Sequence, residues 1–146
     1  MIISTQMTRN YPNLAKWISE NLPKVKNKAK IYKSFLKYSE LNKTVGSAAL
    51  TLGNTPTIDY RFMPGSNGQF EGETFKDTVF ISNEICDKFE NSAKDAKDKR
   101  MHTLIESTIL HEMVHWGDFK DGIDQPDEEG KKFEIAAYGK DINRYW

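Results

Sequence analysis

Residues 103–116, TLIESTILHEMVHW, constrain the fold of this chain more than any other stretch. Leu104, Ile105, Ile109, Leu110, Met113, Val114 and Trp116 would put apolar side chains on nearly every side of a helix. That is the pattern of a helix buried inside a domain, not one lying on its surface. Into this run the sequence sets His111, Glu112 and His115, although it holds only three histidines in all.

Helical geometry says what these three can do together. Residues four apart lie about 40° from each other around the axis and one turn along it. His111 and His115 therefore point the same way and can offer two imidazole nitrogens to one ion. Glu112 is rotated by about 60° from His115, so its carboxylate reaches the rim of that site. Two histidines and a glutamate facing a protein interior are costly without a partner, and a metal ion in a cleft satisfies all three. The arrangement is HExxH: two zinc ligands, with a glutamate placed to take a proton from water. His102 lies nine residues before His111, on the opposite face, and reads as a polar residue at the helix start.

The rest of the chain reads as one domain, residues 1–146, of mixed α+β class. In 11–23, YPNLAKWISENLP, Leu14, Trp17, Ile18 and Leu22 fall at helical spacing. Residues 27–42 repeat the stripe with Ile31, Phe35, Tyr38 and Leu41. The lysines around them read as the wet side of an amphipathic helix, not a nucleic-acid surface. From Thr51 the period changes: in TIDYRFM, Ile58, Tyr60 and Phe62 alternate with polar neighbours, ending at the turn string PGSNG. QFEGETF (69–75) and DTVFIS (77–82) follow as short strands, which predicts a small, mainly antiparallel sheet. Residues 91–99 read as a loop or an exposed helix start, 100–116 as the buried helix, with Gly117 ending it, and 131–138 as a last, shorter helix. The acidic connection between these two fails the EF-hand pattern, since Gly117 and Phe119 would stand where calcium ligands belong.

Charge excludes little and suggests little. Lys+Arg and Asp+Glu are 21 each, so no global field favours nucleic acid or a membrane surface. A single cysteine, Cys86, rules out an internal disulfide framework and fits a reducing compartment. There is no 18-residue apolar run and no signal-peptide pattern at the N-terminus, so a soluble monomer is expected.

HEMVH on a buried helix, after helices and a small sheet and before a helix carrying a carboxylate, resembles the zincin metallopeptidases. The HEMVHWGD stretch and the later EEGKKFEIAAYG segment resemble the metallopeptidase toxin domains of bacterial polymorphic toxin systems, over roughly residues 46–146. The resemblance implies one Zn²⁺, peptide-bond hydrolysis of a protein substrate, and an extended substrate laid against a sheet edge, for which 77–82 is the candidate strand. It also implies delivery by a dedicated bacterial secretion system and an inhibitor (immunity) protein as a partner. A rival reading is a catalytically silent zincin-like domain that binds a protein; Glu112 argues against it, because a purely structural zinc site has no use for that residue. A third is a metal-free helical interaction domain.

A third metal ligand must come from a carboxylate, since no histidine is left to serve. Glu134 stands 19 residues after His115, the separation expected when a second helix packs across the first, with Gly130 one turn earlier to let the backbones approach. Asp121, six after His115, has the spacing of the related zincins that turn sharply after their helix. Asp118, seven after His111, suits orienting a histidine from behind. Tyr138 and Arg144 are the candidates for an oxyanion donor.

Overall fold

The computed structural model describes residues 1–121 and 128–146, with the side chain of Asp121 outside the described set. In chain order the elements are β1 (Ile2–Ile3), α1 (Thr5–Asn10), α2 (Pro12–Asn21), a 3-10 turn (Leu22–Asn27), α3 (Ala29–Ser39), α4 (Lys43–Ala49), β2 (Thr57–Arg61), β3 (Gly68–Phe70), β4 (Thr78–Ser82), α5 (Asn83–Asn91), α6 (Ala93–Ala96), α7 (Lys99–Asp118) and α8 (Glu129–Tyr138). The α+β class stands. No helix among the described residues is long and apolar enough to cross a membrane.

Local chemistry sets the helix ends. Ser4, Asn42, Ser82 and Asp98 each accept a backbone N–H of the turn they precede, at the starts of α1, α4, α5 and α7. Pro12 opens α2, where its missing N–H costs nothing. Gly139 closes α8 at φ 83, a conformation that suits a residue without Cβ.

The sheet corrects the expectation. Its order is β1-β2-β4-β3. β1 with β2 and β2 with β4 run parallel, and only β3 with β4 is antiparallel. The strand at 77–82 is therefore an inner strand, not an edge: β4 lies between β2 and β3, and Val79, Phe80, Ile81 and Ser82 are all buried. Its unbroken VFI run is what a strand covered on both faces requires. QFEGETF contributes only its first residues, and Gly68–Phe70 is the edge.

Helix α7 forms the middle of the core. Leu104, Ile105, Ile109, Leu110, Met113, Val114 and Trp116 are buried against Leu14, Ile18, Phe35, Ile81, Ile85 and Phe133. Fully burying such side chains stabilises by about 1.5–3 kcal/mol each. The helix packs on β3 and β4, on α3 and on α8. Gly117 does not end it: α7 runs through Asp118, and Gly117 instead makes room for α3, since a Cβ there would meet Ser39 O at 2.8 Å. Trp116 Nε1 donates to Asp77 Oδ1 at 3.1 Å and ties the C-terminal turn of α7 to the start of β4.

Candidate metal centre

His111 and His115 leave α7 on one face, one turn apart, as the HExxH spacing dictates, with ring centroids 5.1 Å from each other. Two carboxylates from the α8 side meet them. Glu134, on α8 and only 5% exposed, places Oε1 3.2 Å from His111 Nδ1 and accepts the backbone N–H of Ile142 on Oε2 at 3.0 Å. Glu128, just before α8, places Oε1 3.3 Å from His111 Nε2 and 2.9 Å from His115 Nε2. One donor atom each from His111, His115 and Glu128 lies within 4.8 Å of the others. Donors about 2.0–2.1 Å from a tetrahedral ion are roughly 3.3 Å apart, so the two measured separations fit a zinc-sized cation.

Glycines make this proximity possible. A Cβ at Gly130 would overlap the imidazole of His111, so α8 can cross α7 here only with glycine at that position. On the other side, a Cβ at Gly68 would stand 2.9 Å from Glu112 Cγ and 2.8 Å from Thr108 Cγ2. The edge strand β3 thus touches the glutamate of HExxH directly. Glu112 itself is buried.

His111, Glu112 and Glu134 open on a cleft of about 260 Å³. Its walls are residues 66–68 before and in β3, Thr108, His111 and Glu112 of α7, and Glu134 with residues 141–143 beyond α8. The electrostatics are acidic. Burial alone would lower the pKa of His111, but the bond to Glu134 and the charges of Glu112, Glu134 and Glu128 outweigh it and raise the imidazole above its usual value.

The other candidates fall elsewhere. Asp118 is buried on α7, yet its carboxylate is not among the donors gathered at the histidines. The side chain of Asp121 lies outside the described residues. Tyr138 does not face the cleft as an oxyanion donor would; its hydroxyl donates to Glu106 Oε1 at 2.8 Å, and Lys28 Nζ reaches Glu106 Oε2 at 2.6 Å. Arg144 is a clamp instead: it donates to Asn67 Oδ1 at 2.9 Å and Ser66 O at 2.7 Å, and faces Glu84 at 3.3 Å. His102 keeps its structural role, with Nε2 2.7 Å from Ala96 O and its ring stacked on Trp17. Sequence reasoning missed Glu128, Gly68 and the cleft wall at 66–67 and 141–143. The acidic string before α8 was the only signal for the first.

The family model described as metallopeptidase toxin 3 matches residues 7–139. The chain belongs to that family. The match runs from within α1 through the whole of α8, and the family's description implies a metal ion and peptidase chemistry. No curated protein and no solved structure matches the chain significantly.

Proposed function

We propose that the chain is a zinc-dependent endopeptidase domain of a bacterial toxin, with His111, His115 and Glu134 as metal ligands and Glu112 as the catalytic acid and base. One observation carries this reading. His111, Glu112, Glu134 and Asp141 line one acidic cleft beside the edge strand β3, with His115 one turn along α7 and Glu128 facing both Nε2 atoms. Zinc held there supplies Lewis acidity, which acidifies water and polarises a carbonyl.

The chain's own residues do the rest. Glu112 takes the proton of the attacking water and returns it to the leaving amine. Its carboxylate is kept against β3 by the absence of a side chain at Gly68. The free edge of β3 offers the backbone groups against which an extended peptide would lie.

Glu134 is favoured as the third ligand because it is buried and its other oxygen is already fixed by Ile142 N–H, so little is lost in ordering it. A second reading has its own support: Glu128 faces both Nε2 atoms, and Glu134 on Nδ1 would then orient His111. Glu128 has a side chain 57% exposed, which makes it the looser of the two. As a toxin domain the protein would be delivered by a secretion system, cleave a protein of the target cell, and be held in check by an immunity protein.

The deciding experiment is Glu112→Gln. Zinc content by plasma emission spectroscopy should stay near one ion per chain, while hydrolysis of an unstructured protein substrate falls by roughly 10²–10⁴-fold. Undiminished hydrolysis by this variant would end the mechanism.

A further inference from the structure

Segment 141–143 has two faces. One lines the catalytic cleft, and the other lines a larger cavity of about 660 Å³. This second cavity is framed by Lys99 and Arg100 at the start of α7 and by Lys140 and Arg144 after α8, with Tyr138 and Tyr145 among its walls. Asp141 is the one acidic residue lining it.

The four cations are not equally committed. Arg100 is held by Asp98 at 2.7 Å and lies over the Tyr145 ring at 4.2 Å. Arg144 is spent on Ser66, Asn67 and Glu84. Asp141 is turned to Lys131 at 3.3 Å. Lys99 and Lys140, both exposed, have no ion-pair or hydrogen-bond partner among the described residues. A positive cavity with two uncommitted ammonium groups therefore adjoins a cleft walled by Glu112, Glu134 and Asp141. Residues 141–143 line both, so an extended chain that leaves Glu112 past this segment enters the neighbouring cavity.

We propose that this cavity is a substrate subsite that receives an Asp or Glu side chain of the peptide, paired with Lys99 and Lys140. The proposal deepens the peptidase reading and rests on it. The two lysines draw a carboxylate to this cavity, so the position of the acidic residue relative to the cleaved bond becomes the specificity signal.

The test uses the zinc-loaded full chain carrying Glu112→Gln, and fluorescein-labelled decapeptides in which a single Glu, or its isostere Gln, is moved along an otherwise neutral sequence. Anisotropy should show the Glu peptide binding roughly three- to tenfold tighter at one register, the range expected of two exposed ion pairs. The preference should fade at 0.5 M salt, vanish in Lys99→Gln/Lys140→Gln, and return in Lys99→Arg/Lys140→Arg. Equal binding of Glu and Gln peptides at every register, or a preference that survives the double glutamine variant, overturns the subsite. Because both lysines are exposed, matching thermal melts should verify folding of the variants. Cleavage of the Gln peptides by the wild-type chain is scored separately. Cleavage without charge preference removes the subsite alone, and preference without cleavage removes the peptidase reading and leaves an acidic-peptide site.

Discussion

The two ends of α7 carry the same residue type in different surroundings. Near its start, His102 bonds a single backbone carbonyl and stacks on Trp17 at 4.9 Å. About two and a half and three and a half turns along, His111 and His115 face Glu128, with Glu134 on the far nitrogen of His111. An imidazole meeting one carbonyl and one ring is a packing element, whereas two imidazoles meeting carboxylates at ligand spacing form a coordination site. What faces the ring decides its role, and the helix only aims it.

Substitution at the two ends should separate these roles most sharply. His111→Ala is expected to lower zinc affinity by more than about a hundredfold and abolish hydrolysis, whereas His102→Ala should keep one zinc per chain and lose about 1–2 kcal/mol of stability. Competition with a chromophoric chelator and a urea melt measure the two. Zinc loss in His102→Ala would break the comparison.

Within the coordinating end, Glu134→Ala should weaken zinc binding by roughly a hundredfold and Glu128→Ala by tenfold or less. The reverse order would make Glu128 the ligand and Glu134 the residue that orients His111. A smaller effect is expected one strand away. Gly68→Ala pushes a methyl into Glu112, so kcat/KM should fall about tenfold with zinc content unchanged.

The smallest effect concerns Tyr138. Burial first, and then the charge of Glu106 and the bond to it, hold its hydroxyl far above the usual tyrosine range. The folded value exceeds the unfolded one, so this contribution is complete below about pH 10 and is lost as pH rises further. Tyr138→Phe should therefore melt lower than wild type at pH 8, with the gap narrowing above pH 10. A gap that widened with pH would contradict that assignment.

The coordinating end was legible in the sequence because one helix supplies it. The three-residue arithmetic of HExxH needs nothing beyond 3.6 residues per turn, and the apolar run around it announced burial. The sheet was not legible in the same way. The parallel pairing of β2 with β4 is non-local and leaves no turn signal in the sequence, and β1 has only two residues, Ile2 and Ile3, too few to carry a period. The inner position of β4 follows from its pairing with β2 on one side and β3 on the other, and an apolar VFI run reads the same at an edge or inside. Glu128 escaped notice because its position depends on how the chain returns after α7, which no local pattern encodes. Gly130 was read as the point where two helices approach, and a Cβ there would indeed meet the His111 ring, whereas the need for glycine at 68 arises only from the α7 side chains that cross it.

Arg144 also has a meaning in time. It grips Ser66 and Asn67, so the cleft joins residues near 66, near 111 and beyond 140 in one wall. Chains emerge from the ribosome at about 5–20 residues per second, N-terminal parts first. His111 and Glu112 are therefore made before the wall that shapes their cleft is complete. Until residue 144 has been made, the growing chain holds His111 and Glu112 without the clamp that fixes the opposite wall of their cleft.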